Sequence, residues 1–357
     1  MYSSQHSYLC YWYSHVLRQP HIKRAYALLM GWALVLVLLI MTAMWSSDVR
    51  AQEATKPSPE VQLLHDIQQA ARKQDYAGVF TYQQGESIHS SRVVHVVDGT
   101  GERERLEVLD GQHREYLRHN DDIQCLIPEE KTVLMESRRG DRFPGFLRGT
   151  PVGLDAHYDI RVLDRLHRVA NRPCKVIMIY PKDGQRYGYR LCADVETNLL
   201  LRAQTVDSEQ GIIEQISFTS IDVGDKVKPN ELRSSWNTND WKIVQPNVEL
   251  VDLMAQGWRV PAPDGFSVIT QVKRSMGGTP DVNQLVLSDG LAAISVFIEP
   301  YDKHKEETMS EGASTRGPIN IYSTRIADFW LTALGEVPAE ALEQLATSTE
   351  YVPVSSR

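Results

Sequence analysis

The sequence contains none of the short motifs that mark common catalytic sites. Its 357 residues hold no His-Glu-x-x-His, no Gly-x-Ser-x-Gly and no P-loop pattern. The adjacent carboxylates Asp121 and Asp122 fall at a predicted turn, where solvation explains them. His89, His95 and His113 lie on predicted strands, but their spacings match no dedicated metal site. We therefore predict a protein that is not an enzyme and holds no metal or cofactor.

Positive charge is also in short supply. The chain has 38 Lys and Arg against 46 Asp and Glu, and its net charge is −8. Without residues 1–51, which carry four basic residues and one acidic residue, the net charge becomes about −11. An acidic chain of this kind does not favour nucleic-acid binding. It also argues against docking on anionic lipid by charge alone, although a local basic patch could still do so.

Cysteine is scarce, with four in the whole chain. Cys10 lies in the N-terminal leader, so Cys125, Cys174 and Cys192 remain, and this odd number leaves at least one thiol unpaired within the chain. Three outcomes stay open: a Cys174–Cys192 bridge, a Cys125–Cys174 bridge, and no bridge at all.

The first outcome follows from a predicted hairpin around Asp183-Gly184. A three-residue loop, 182–184, would place Pro181 opposite Gln185 and Cys174 opposite Cys192 in a non-hydrogen-bonded pair, where side chains lie closest. A two-residue loop would shift the register and separate the two cysteines.

The N-terminus predicts export from the cytoplasm. Arg18, Lys23 and Arg24 precede an uncharged apolar stretch, 25–47, and Val49-Arg50-Ala51 offers a small residue at a plausible cleavage point. These are the parts of a secretory signal. The apolar stretch is also long enough to span a bilayer, so an uncleaved signal anchor is the alternative. Either reading places the remaining chain outside the cytoplasm.

The first half of the exported chain reads as one helix followed by many strands. Val61, Leu64, Ile67, Ala70 and Ala71 recur at helical spacing, which predicts an amphipathic helix ending near residue 73. The pattern then changes to alternation, with Asp-Gly hairpin signals at 98–99, 110–111, 183–184, 264–265 and 289–290. An open sheet of about ten strands must curl. We predict a large antiparallel β half-barrel with the helix covering part of its concave face, and either an apolar ligand cavity or a filled core inside.

A second unit follows a polar segment. We predict a signal peptide or signal anchor at 1–51, the half-barrel domain at 52–224, a linker at 225–247 and a small α+β domain at 248–357. The fold class is therefore α+β.

Several runs of residues together resemble the MucB/RseB family of periplasmic regulators of an envelope-stress sigma factor. They are Tyr76-Ala-Gly-Val-Phe-Thr-Tyr, Asp110-Gly-Gln-His-Arg-Glu, Arg168-Val-Ala-Asn-Arg-Pro, Glu214-Gln-Ile-Ser-Phe, Pro263-Asp-Gly-Phe and Gly335-Glu-Val-Pro. Two positions depart from the family pattern: Cys192 stands where an aromatic residue is common, and Asn171 where Gly is common.

The resemblance implies a lipoprotein-carrier-like fold for the large domain and a regulatory function in the periplasm. Such a protein would bind the periplasmic segment of a single-span anti-sigma factor, shield it from proteolysis, and release it when a lipid or lipopolysaccharide-like signal competes. Homo-oligomers are possible, and nucleic acid is not an expected partner.

Candidate residues follow from sequence character. We expect the lipid site to use Phe80, Val94, Phe143, Phe146, Leu147, Ile177 and Tyr189. We expect the partner surface to lie around Phe266, Leu287 and Phe297. The alternative functions are a periplasmic lipoprotein or lipid carrier or chaperone, and a secreted enzyme, for which the sequence shows no dense polar cluster.

Overall fold

The structure is a computed structural model, and it describes residues 57–137, 153–276, 279–303, 310–317 and 319–353. The predicted leader, 1–51, lies outside the described residues. No described helix has the length and apolar character needed to span a membrane.

Helix α1 (Pro59–Lys73) begins where the sequence supplies a complete start signal. The Ser58 hydroxyl accepts a hydrogen bond from the Val61 amide at 3.3 Å, and Pro59 occupies the first helical position. Arg72 and Lys73 occupy the last turn, where positive charge favours the helix dipole. One face of the helix is buried, and it carries the five apolar residues that the periodicity singled out. The predicted helix is therefore confirmed.

The large domain is a 13-stranded sheet that does not close into a barrel. In spatial order its strands run β13-β6-β5-β4-β3-β2-β1-β12-β11-β10-β9-β7, with β8 paired to β9. The strands are β1 (Tyr76–Gln84), β2 (Ser87–Asp98), β3 (Gly101–Val108), β4 (Glu115–His119), β5 (Asp122–Ile127), β6 (Thr132–Ser137), β7 (Tyr158–Val162), β8 (His167–Val169), β9 (Arg172–Pro181), β10 (Gly188–Asp194), β11 (Leu200–Asp207), β12 (Gly211–Val223) and β13 (Lys242–Val244). A short helix, α2 (Leu154–His157), precedes β7. The predicted α+β class and large curved sheet are confirmed.

Cys174 and Cys192 form a disulfide, with 5.4 Å between their Cα atoms. The predicted strand register around them is wrong. Cys174 lies opposite Asp194, and Cys192 lies opposite Val176, so the bridge runs diagonally between β9 and β10. The connection between these strands spans 182–187 rather than three residues, because β9 ends at Pro181 and β10 starts at Gly188.

The polar segment 225–247 lies along the large sheet. A 3₁₀ turn (Pro229–Leu232) contacts β2 and β3, and β13 pairs in parallel with β6. Ser234 and the Ser235 amide both donate hydrogen bonds to the Glu115 carboxylate, at 2.6 and 3.1 Å. Most of the segment that we predicted as a linker is thus attached to the large domain.

The small domain is a seven-stranded sheet with one helix against it. Its strand order is β14-β16-β17-β18-β21-β20-β19, and β15 pairs separately with β22. The strands are β14 (Val248–Leu250), β15 (Trp258–Arg259), β16 (Ser267–Met276), β17 (Thr279–Ser288), β18 (Ala293–Pro300), β19 (Gly312–Arg316), β20 (Ile319–Ile326), β21 (Phe329–Gly335) and β22 (Glu350–Tyr351). Helix α3 (Ala339–Thr347) buries Leu342 and Leu345 in the core between helix and sheet.

Four of the five Asp-Gly signals mark a connection between paired neighbouring strands. The exception is 264–265, which lies between β15 and β16, and these two strands belong to different sheets.

Candidate functional site

The predicted lipid-binding residues are divided between the two faces of the large sheet. Phe80 lies opposite Ser91, and Val94 lies opposite Ala77, so Phe80 and Val94 point to opposite faces. Phe80 packs against Phe218 on the face that α1 covers, which we call the helix-side face. Val94 packs on the other face, with Val227 of the segment that follows β12. The prediction that Phe80 and Val94 line one hollow is therefore wrong. Phe143, Phe146 and Leu147 lie outside the described residues.

Ile177 and Tyr189 share the helix-side face with Phe80, but α1 covers them. Both are buried in one cluster with Val61 and Leu64 of the helix. Over β9 and β10, the space that could hold a ligand is therefore filled by the side chains of the protein itself.

A second part of the helix-side face is more open. Each of the five neighbouring strands β2 to β6 contributes one apolar residue, and each of these residues lies directly opposite the next. They are, in order, Val93, Leu106, Tyr116, Cys125 and Leu134. We call these five residues the apolar row. Val93 is fully buried, whereas Tyr116 is 40 % exposed and the other three are half-buried. This row could not be predicted from the sequence, because it depends on the registers of four strand pairs rather than on alternation within any one strand.

The only thiol in the apolar row is chemically quiet. Burial raises the pKa of Cys125 above its ordinary value, so the thiol stays protonated and apolar at neutral pH. Burial likewise raises the pKa of the neighbouring Tyr116 hydroxyl. The row offers apolar contact area rather than a nucleophile.

Two of the three histidines considered as metal ligands have structural contacts, and the third, His89, is exposed. His95 is buried, stacks on Tyr76 at 4.8 Å, and its Nδ1 lies 2.8 Å from the Gln74 carbonyl oxygen. His113 packs edge-on against Trp236. Among the described residues, no group of three or more His, Cys, Asp or Glu side chains is placed to hold a metal ion.

A buried polar cluster joins the two domains. The Arg186 side chain donates from Nε to Asp289 at 2.7 Å, and it also reaches Asp183 and the Asp264 carbonyl oxygen. The Tyr158 hydroxyl donates to the same Asp289 carboxylate at 2.8 Å. Burial, reinforced by nearby groups that include Asp289, raises the pKa of Tyr158 far above its ordinary value, so this hydroxyl remains a donor.

The predicted partner residues do not form one surface. Phe266 and Leu287 are buried in the core of the small domain. Phe297 is half-buried and points to the other face of the sheet, because its neighbours Val296 and Ile298 occupy the core.

Family models match both domains of the chain. The MucB/RseB N-terminal domain matches residues 59–236, and the MucB/RseB C-terminal domain matches residues 252–350. The first match contains β1 to β12 of the large sheet and the second contains β16 to β21 of the small sheet, whereas β13 and β14 lie between the two matches. Together the matches cover most of the chain.

Individual proteins show the same likeness. The sigma factor AlgU regulatory protein MucB of Pseudomonas aeruginosa is 29 % identical over 308 residues, which are 84 % of this chain and 94 % of that protein. The sigma-E factor regulatory protein RseB of Haemophilus influenzae is 24 % identical over 88 % of this chain and 96 % of its own length. The solved complex of Pseudomonas aeruginosa MucA and MucB superposes with a TM-score of 0.65 at 27 % identity, over 83 % of this chain and 99 % of that one. With both of its domains matched in order, this chain belongs to the MucB/RseB family, a family of regulatory proteins rather than enzymes.

Proposed function

We propose that this protein is a periplasmic negative regulator of a sigma factor, which acts by binding the periplasmic segment of a single-span anti-sigma factor. The observation that carries the proposal is the likeness to MucB in its complexes with MucA. Two such complexes match over 82 % and 83 % of this chain and 99 % of theirs, with TM-scores of 0.63 and 0.65. Because the matched residues include both domains, this chain has counterparts of nearly all the residues of those MucB chains, including those that a bound partner could contact.

We propose further that binding shields the anti-sigma factor from proteolysis. A bound segment is protected from a protease when it is held in place and out of the protease's reach. The proposal is supported by the family, whose relatives are named as sigma-factor regulatory proteins.

The apolar row supports a third element of the proposal, a response to lipid-like signals. A half-exposed strip of Leu106, Tyr116, Cys125 and Leu134 offers an acyl chain a place to bury its surface. A lipid that binds one state of the protein more tightly than another shifts the equilibrium between the two states. The size of the shift is limited to the difference between its two binding free energies.

The partner is tested by capture from membranes. The full chain with a C-terminal tag is expressed in its own host and recovered from detergent-solubilised membranes, and the captured proteins are identified by mass spectrometry. We expect a small single-span membrane protein encoded near a sigma factor. Addition of the purified protein should then slow cleavage of that partner's periplasmic segment by a periplasmic protease. Capture of outer-membrane lipoproteins instead would identify a carrier or chaperone, and unchanged cleavage would remove the shielding function.

Lipid binding is tested with a fluorescent acyl-chain probe. Tyr116→Asp places a charge in the apolar row, and we expect the affinity for the probe to fall at least tenfold. Ile88→Asp is the matched control, because Ile88 is 58 % exposed and lies on β2 outside the row. Phe146→Asp examines the segment outside the described residues. Equal affinity of the wild type and the three variants would remove both the apolar row and residue 146 from the lipid site, and no binding by any of the four would remove lipid sensing from the proposal.

A further inference from the structure

The small sheet ends in an unusual outer strand. β14 is the first strand in the spatial order and pairs only with β16 among the described residues. All three of its residues, Val248, Glu249 and Leu250, are exposed. The outer edge of such a strand presents backbone N–H and C=O groups that a further strand can pair with.

The pairing pattern identifies which backbone groups face outward. The Val251 amide donates to the Gln271 carbonyl oxygen at 3.2 Å, which continues the β14–β16 register by one residue. In antiparallel pairs, hydrogen-bonded and non-hydrogen-bonded positions alternate. Glu249 therefore bonds toward β16, and the N–H and C=O groups of Val248 and Leu250 point away from the sheet.

Apolar side chains accompany these outward groups. Leu250 is 82 % exposed, Met254 75 % and Val248 49 %. Ile269 of β16, three residues before the segment of that strand that pairs with β14, is also exposed. The strand is short and carries one charged residue, Glu249, and both features limit unwanted edge pairing. Leu250 is nonetheless left in solvent next to outward-facing backbone groups.

We propose that the outer edge of β14 binds an extended, apolar peptide segment of a partner protein, which adds a strand to the small sheet. This inference rests on the proposed function and names the mode of partner binding: the peptide belongs to the periplasmic segment of the anti-sigma factor. Main-chain hydrogen bonds to Val248 and Leu250 supply affinity, and apolar contacts with Leu250 and Met254 supply specificity.

A second copy of this chain fits the edge less well. Two antiparallel β14 strands that use the outward groups of both Val248 and Leu250 are centred on Glu249. That register places Glu249 directly opposite its own copy, and like charges opposite each other destabilise a strand pair. A foreign peptide with an apolar or basic residue at that position avoids the repulsion.

Proline substitution tests the main-chain contact directly. Leu250→Pro removes the outward N–H but leaves the bonds of Glu249 and Val251 toward β16, and proline is tolerated where the N–H of an edge strand faces solvent. We expect about five- to tenfold weaker binding of the purified periplasmic segment of the captured partner, measured by isothermal titration calorimetry. Leu250→Val is the matched control, because it retains both the N–H and an apolar side chain, and it should bind within about twofold of wild type.

Amide hydrogen exchange on the wild-type protein gives a second measurement that does not depend on the variant folding. On addition of the periplasmic segment, we expect exchange to slow at least tenfold at Val248 and Leu250, and much less at Glu249.

If wild-type protein binds the segment but these amides are unprotected and Leu250→Pro binds equally well, the strand-addition inference is wrong and the proposed function stands. If wild-type protein does not bind the segment, both fail. A homodimer that Leu250→Pro dissociates would assign the edge to a second copy.

Discussion

Arg186 in the large domain and Asp289 in the small domain form an ion pair in which both side chains are fully buried. Their Nε and Oδ2 atoms lie 2.7 Å apart. The guanidinium carbon also lies 5.0 Å from the centre of the Phe266 ring. Two residues of the small domain, Asp289 and Phe266, therefore contact this charge. Such a pair fixes one arrangement of the two domains as long as both charges remain.

Removing one of these charges should destabilise the protein strongly. Asp289→Asn keeps an oxygen that can accept from the Leu291 and Ala292 amides, at 2.9 and 2.8 Å, but leaves Arg186 without its full counter-charge. We expect a loss of about 3 kcal/mol in the free energy of unfolding, measured by urea denaturation. Asp240→Asn is the control, because the Lys131–Asp240 pair is exposed and its loss should change nothing measurable. Equal effects of the two variants would contradict a role for burial.

Reduction of the Cys174–Cys192 disulfide should also lower stability. The bridge closes a loop with a sequence separation of 18, for which loop-closure entropy predicts about 3 kcal/mol. The double variant Cys174→Ala, Cys192→Ala should show this loss in urea, and dithiothreitol should destabilise the wild type but not the double variant. Cys125→Ala is the control for thiol effects, since Cys125 is free. A wild type that is insensitive to dithiothreitol would count against the prediction.

Acid should weaken the attachment of residues 229–241 to the large sheet. Burial raises the pKa of Glu115, but hydrogen bonds from Arg105, Ser234 and the Ser235 amide outweigh it and hold the pKa below its ordinary value. A depressed pKa means that the carboxylate stabilises the fold above about pH 4.5, and that this stability is lost as the pH falls through the folded-state pKa. Urea midpoints should therefore be constant from pH 7 to 5 and fall below pH 4.5.

The matched variant for this pH effect is Glu115→Gln. It should be less stable than wild type at pH 7, and the difference should shrink as the pH falls. A constant difference at every pH would show that Glu115 is not the titrating group.

Truncation in the contact between α1 and the sheet should be costly. Leu64 is completely buried among Ile177, Tyr189 and Leu191. Leu64→Ala should lower the free energy of unfolding by about 3 kcal/mol, because the cavity left behind cannot fully collapse. Ile88→Ala, at an exposed position, should cost less than about 0.5 kcal/mol. If the Leu64 variant also gains affinity for a fluorescent acyl probe, the helix occupies a space that a lipid can enter.

Helical spacing predicted α1, and alternation predicted the strand-rich sheet that follows it, because burial on one face imposes a period on the residues. They did not predict the register of β9 and β10. The predicted three-residue loop, 182–184, leaves Arg186 in the second strand of the hairpin. In the structure its guanidinium is held by Asp289 in the other domain, and the connection spans 182–187. A contact with a residue about a hundred positions away leaves no local signal.

Another difference from the prediction has a local signal in the sequence. The two-residue turn 85–86 places Gln84 opposite Ser87, and this register alone puts Phe80 and Val94 on opposite faces. The edge strands β13 and β14 are different, because each has only three residues and the two strands flank Pro246. Neither residue type nor period distinguishes them from a linker.

The attachment of β13 to one sheet and β14 to the other leaves a very short free tether. Only Gln245, Pro246 and Asn247 lie between the two strands. Fully extended, the chain from Val244 to Val248 reaches about 14 Å. A ligand that reorients the two domains must therefore keep the ends of β13 and β14 within about 14 Å of each other. A larger movement requires that β13 or β14 first separates from its sheet.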